Sequence, residues 1–132
     1  MHTITHLIVN LIAVIPLKHY LGWDFALTSI FVLAGIAIDI DHIIFFIIKY
    51  KTMKPSHWIK IGKRLRSKMQ PNLNIFHSPE FNAALLLFGI FNNVALVILL
   101  SNITHLTLDA VEHYYYHKNF LWIKKWSIIN SL

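Results

Sequence analysis

Six side chains of two chemical kinds stand at short spacings in this chain. Asp39, Asp41 and His42 occur in Ile38-Asp39-Ile40-Asp41-His42. His105 and Asp109 occur in Thr104-His105-Leu106-Thr107-Leu108-Asp109, and His77 lies between the two motifs. Imidazole nitrogen and carboxylate oxygen are donors that divalent transition metals accept. On a helix, Asp39 and His42 are three apart, about 60° around the axis, and His105 and Asp109 are four apart, about 40°. Each pair can therefore serve one ion. Asp41 projects elsewhere and suits a second ion or a hydrogen bond that orients a ligand. Glu112 continues the face of His105, about 20° away, as a late ligand or a general base. Cysteine is absent, which excludes thiolate sites and disulfides.

The elements that must position these groups are apolar. The chain has 132 residues, 56% hydrophobic and only 14% charged, against about 25% charged in a soluble domain. Four of its six acids (Asp39, Asp41, Asp109 and Glu112) fall in or beside apolar stretches. A carboxylate in hydrocarbon costs roughly 2.5–3.5 kcal/mol on insertion scales. Of the Lys and Arg residues, only Lys18 interrupts an apolar segment. Histidine, protonated or sharing a metal, is left to neutralise the acids. Taken alone, any one buried His is more often a hydrogen-bonded core group than a ligand.

One domain is expected, with helices over about 3–21, 25–49, 78–90 and 94–117. Gly22-Trp23-Asp24 makes the first turn, with Asp24 as N-cap. Ser78-Pro79-Glu80 is a helix start, with Ser as N-cap, Pro in the first turn and an acid beside it. Asn92-Asn93 divides the third helix from the fourth; an unbroken span over Phe81–Leu100 competes with that reading. Tyr114-Tyr115-Tyr116 reads as an interfacial belt. The fold class is all-α, an integral membrane four-helix bundle.

Charge sets the expected orientation. Eight Lys and Arg residues and no acid lie between Lys49 and Lys68. Such a segment can meet nucleic acid, but no nucleic-acid motif accompanies it. Beside membrane spans it marks the cytoplasmic side and meets anionic lipid. Within the segment at 50–74, Trp58, Ile61 and Leu65 recur at helical spacing among Lys60, Lys63, Arg64 and Arg66. This suits an amphipathic helix on the membrane surface or, equally, a solvated linker. Residues 119–132 form an interfacial tail around Trp122 and Trp126. No Lys or Arg precedes Lys18, so the N-terminus lacks the signature of a cleaved signal peptide.

With the basic segment on the cytoplasmic side, four alternating helices bring the polar residues to one layer. His6 lies near the start of the first helix, and Asp39, Asp41 and His42 in the second half of the next. His77 lies at the start of the third, and His105 and Asp109 in the second half of the fourth. Bundles build metal sites from facing helices in this way. His2 is a weak candidate and His113 an undecided one. His19, His57 and His117 lie among basic or interfacial residues and are not expected to be ligands.

With these residues assembled, the chain resembles the membrane-bound metal-dependent hydrolase family, also described as LexA-binding inner-membrane-associated hydrolases. Its members begin with Gly-His or Thr-His before apolar residues, as Thr5-His6-Leu7-Ile8 does here. They carry Pro-Asp-Ile-Asp-His, matched by Ile38-Asp39-Ile40-Asp41-His42. They carry a motif ending Thr-His-Ser, matched by Phe76-His77-Ser78, and Ser-His-x-x-x-Asp, matched by Thr104-His105 through Asp109. The order agrees over nearly the whole chain. Ile38 stands where the family has Pro. Asn72-Leu73-Asn74 stands where the family has His-Arg-Gly, so one His and one Arg are missing; Glu80 or Glu112 is a candidate substitute.

The resemblance implies metal-dependent hydrolysis in the inner membrane; a phosphoester or other lipid-related ester at the cytoplasmic interface is the expected substrate. Asp39, His42, His77, His105 and Asp109 would hold one or two divalent ions, zinc first and manganese or iron next. Asp41 and His6 would complete or orient the site, and Glu112 or Asp41 would act as the catalytic acid or base. Lys60, Lys63, Arg64 and Arg66 would collect an anionic headgroup. Expected partners are anionic membrane lipids and a small-molecule or lipid substrate, with a homo-oligomer compatible and no nucleic acid. Two other readings remain open: a metal or proton transporter, and an adaptor stapled by its metal.

Overall fold

In a computed structural model, the structure describes residues 3–51, 54, 56–57, 75–118 and 127. The described residues are all-helical and contain no strand. The elements are α1 (Thr3–Leu21), α2 (Phe25–Ala37), α3 (Ile40–Tyr50), α4 (Pro79–Gly89) and α5 (Asn93–His117). Three stretches are long and apolar enough to cross a membrane: Ile4–Leu21, Phe25–Tyr50 and Asn93–Tyr115. Lys60, Lys63, Arg64 and Arg66 lie outside the described residues, as do nearly all of the basic segment and of the 119–132 tail.

Local chemistry sets the helix ends. Asp24 caps α2 by accepting from Leu27 N–H at 2.8 Å. Gly22 takes a left-handed φ of 65° in the preceding turn. Ser78 caps α4 through Phe81 N–H, and its own hydroxyl donates to the Ile75 carbonyl. Asn92 caps α5 by accepting from Val94 N–H at 2.8 Å. The Ile90–Asn92 turn therefore divides α4 from α5, where an unbroken span had been the competing expectation.

The sequence predicts one continuous helix over 25–49, but the structure interrupts it at Ile38 and Asp39. Asp39 N–H donates to Ile36 O and His42 N–H to Asp39 O, tighter three-residue bonds in place of the four-residue ladder.

Helix α5 packs against α1, α2 and α4, and α1 packs against α2. Three layers, each step four residues or about 6 Å along a helix, repeat through α1, α2 and α5. At one end, His6 stacks on His105, with ring centroids 3.7 Å apart and planes 9° apart. In the middle lie Asn10, Gly35 and Ser101, all buried. Beyond them Val14, Phe31 and Val97 pack with Trp23 in an apolar cluster. A Cβ on Gly35 would overlap the Asn10 amide and come 2.9 Å from Ser101 Oγ. The absence of a side chain there lets the three helices approach.

The distribution of polarity is reversed from that of a water-soluble bundle. His6, Asn10, Ser101, Asn102 and His105 are each no more than 2% exposed, whereas Leu33, Leu87 and Val111 are more than 60% exposed. Burying polar groups and exposing large apolar ones is unfavourable in water and suits a hydrocarbon surround.

Candidate metal centre

Four side chains from three segments converge at the polar end. His105 comes from α5, one turn before Asp109, and Asp39 comes from the α2–α3 break. His77 comes from the turn that leads into α4. Their facing atoms are Asp39 Oδ1, His77 Nε2, His105 Nε2 and Asp109 Oδ2. His105 Nε2 lies 3.4 Å from Asp39 Oδ1 and 3.5 Å from Asp109 Oδ2. His77 Nε2 lies 3.6 Å from Asp109 Oδ2 and 4.0 Å from Asp39 Oδ1. In a tetrahedral site with ligand bonds of 2.0–2.1 Å, neighbouring donors are about 3.3 Å apart. These four separations are close to those between neighbouring ligands of one ion.

The opposite edges of the two imidazoles are held. His105 Nδ1 is 2.8 Å from the Gly35 carbonyl oxygen, which can only accept. Nδ1 therefore carries a proton, which leaves Nε2 as the nitrogen that a metal could take. His105 Nε2 is buried and makes no hydrogen bond. His77 Nδ1 is 3.0 Å from Asp41 Oδ2, which also accepts from Phe76 N–H at 3.2 Å. A ligating His commonly donates its other N–H to a carbonyl or carboxylate, and the site contains one example of each.

Asp109 is shared. Its Oδ2 faces His77 and His105, while its Oδ1 lies 3.2 Å from His6 Nε2. His6 thus holds the carboxylate from the side away from the quartet.

His42 points to the edge. Its Nδ1 is 3.7 Å from Asp41 Oδ1, and its Nε2 is 3.9 Å from Asp39 Oδ1. Its side chain is 32% exposed and that of Asp39 is 22% exposed, whereas His77 and His105 are closed off. The cluster therefore opens along the Asp39–His42 edge.

Three groups have the geometry to hold a metal ion: Asp39, His77 and His105; His6, His105 and Asp109; and Asp41, His42 and His77. These buried His and Asp groups could hold an ion. Glu112, half-buried three residues beyond Asp109, belongs to none of the three.

His77 lies outside the three apolar spans. Burial lowers its pKa, but the carboxylates of Asp109 and Asp41 more than reverse this and raise it to about 9. Without a metal, this imidazole therefore carries a proton at neutral pH.

Sequence reasoning did not give Asn10 and Ser101 a place beside the centre. Ser101 Oγ donates to the Phe31 carbonyl at 2.6 Å, and both polar atoms of the fully buried Asn10 side chain lack a hydrogen-bond partner. The available signal was spacing, since Asn10 lies four residues after His6 and Ser101 four before His105.

No family model matches this chain, and neither a curated protein nor a solved structure matches it.

Proposed function

We propose that the chain is a membrane-embedded, metal-dependent hydrolase of the kind its motifs resemble, acting on a phosphoester or other lipid-related ester. Its ion, zinc by first choice, is held by Asp39, His77, His105 and Asp109. The observation that carries this reading is the quartet itself. Two imidazole nitrogens and two carboxylate oxygens face one another at 3.4–4.0 Å, with both imidazoles oriented from behind. In hydrocarbon, two carboxylates brought together need a cation, and beside protonated imidazole α1 to α5 offer only Lys18 and Lys49, both near helix ends.

A divalent ion in this quartet supplies Lewis acidity to a scissile ester and acidifies water. The protein contributes position. Asp41 and the Gly35 carbonyl fix the two imidazoles, and His6 fixes Asp109. The apolar outer surface supports an inner-membrane location. The open Asp39–His42 edge is where an ester headgroup reaches the site, at the cytoplasmic interface if the basic segment lies on that side. Lys60, Lys63, Arg64 and Arg66 attract the anionic headgroup from that segment. Glu112, one turn beyond Asp109 and away from the apolar layer, is assigned as proton acceptor.

An enzyme is favoured over a transporter by the layer of Val14, Phe31 and Val97. It closes the polar core on the side away from the site, so an ion there has no polar exit through these helices.

Elemental analysis of detergent-purified protein tests the reading, with wild type beside Asp39→Ala and His105→Ala. Stoichiometric zinc, manganese or iron in the wild type, lost from both variants, is expected. A phosphoesterase screen on the loaded protein follows. Folded wild type that takes up no metal after supplementation would rule the hydrolase out.

A further inference from the structure

The quartet leaves one acid unused. Asp41 is 5% exposed, and its two oxygens have different surroundings. Oδ2 accepts from His77 Nδ1 and from Phe76 N–H, whereas Oδ1 is buried and accepts from nothing. Its neighbour on the open side is His42 Nδ1 at 3.7 Å. This separation again approximates the roughly 3.3 Å between donors sharing one ion.

Charge points the same way. Asp39, Asp41 and Asp109 bring three negative charges to one cluster. One divalent ion balances Asp39 and Asp109, and the charge of Asp41 remains in a buried position. A buried charge is costly even where one of its oxygens is hydrogen-bonded, and a second cation beside Oδ1 would offset that cost.

We propose that Asp41 Oδ1 and His42 Nδ1 form a second, weaker divalent-cation position at the open edge, filled together with a phosphate group of the substrate. Two protein donors are too few to hold an ion tightly. Ions bound by one or two protein groups usually complete their shell with water and substrate phosphate oxygens. The exposure of His42 leaves room for that completion. The position thus favours phosphoesters over carboxylic esters, because a phosphate offers oxygens to both ions. This inference rests on the inner quartet holding its own ion.

Titration of Mn²⁺ onto the purified full chain in detergent, followed through the resonance of free Mn²⁺, separates the two positions. The wild type is expected to show one tight and one weak binding event, the weak one tightened several-fold by inorganic phosphate. His42→Ala is expected to keep the tight event and weaken the other at least tenfold. His42→Gln repeats the comparison if the alanine variant does not fold. A tight event alone in the wild type, or a weak event unchanged in the His42 variants, would overturn the outer position and leave the inner one standing. Absence of the tight event would overturn the inner site and the outer position with it.

Discussion

His105 Nδ1 and the Gly35 carbonyl oxygen lie 2.8 Å apart although 70 residues separate them in the chain. The contact forms because Gly35 has no side chain to keep α1 and α5 away from α2. One glycine thereby sets both the helix spacing and the direction in which His105 Nε2 faces the cluster.

Gly35→Ala tests that dependence. The added Cβ overlaps Asn10, and overpacking of this kind typically costs about 1–3 kcal/mol. We expect a lower unfolding temperature and metal affinity reduced on the order of 10–100-fold, because His105 turns away. Adding Asn10→Ala should restore part of both, read as a double-mutant cycle. Full additivity of the two changes would show that Asn10 and Gly35 do not share the contact.

For the tight inner site, Asp41→Asn separates orientation from ligation. The amide keeps the size of the carboxylate but loses its charge toward His77 Nδ1. Metal affinity should fall about 10–100-fold by equilibrium dialysis, the usual effect of removing an orienting partner. His105→Ala, which removes a ligand, should instead abolish stoichiometric binding.

Saturating metal should remove the pH dependence that His77 gives to stability. In the metal-free protein, the His77 pKa is raised to about 9 against an unfolded value near 6.5. Its contribution to stability is complete below about 6.5 and is lost as pH rises through about 9. Metal requires the imidazole unprotonated, so affinity should climb up to tenfold per pH unit over that window. Thermal unfolding from pH 6 to 9 should therefore show stability falling above about pH 6.5 in chelator and staying level there with saturating zinc, because the rising affinity offsets the loss. Parallel curves would mean that His77 does not exchange its proton for metal.

Glu112→Gln should leave metal content unchanged, since Glu112 joins none of the three metal-capable groups. If Glu112 accepts the proton in hydrolysis, turnover should drop by roughly 10²–10⁴. Loss of metal instead would place Glu112 among the ligands.

The apolar runs, the caps at Asp24 and Ser78, the division at Asn92-Asn93, and the convergence of His and Asp at one end were all legible as sequence. Helical spacing fixes where a side chain sits on its own helix, so His105 and Asp109 could be paired without a structure. It does not fix what happens when the helix stops. Asp39 and His42 read as one pair three residues apart. The structure keeps that pair within 3.9 Å, but it also brings Asp39 within 3.4–4.0 Å of His105 and His77 and leaves His42 at the exposed edge. The supporting contacts of Gly35 and Asn10 were also illegible, because a glycine and an amide have no chemistry of their own until another helix lies against them.

The layer of Val14, Phe31 and Val97 also has an electrical consequence. In an energised membrane, most of the voltage falls across the part of the protein that water and ions cannot enter. With the polar cluster lying on one side of that layer, a cation held there would sit near the potential of the compartment the cluster opens to. A charge crossing the full field changes energy by about 2.3 kcal/mol per 100 mV. A centre on one side of the insulation avoids most of that change, and its occupancy should be nearly indifferent to whether the cell is energised.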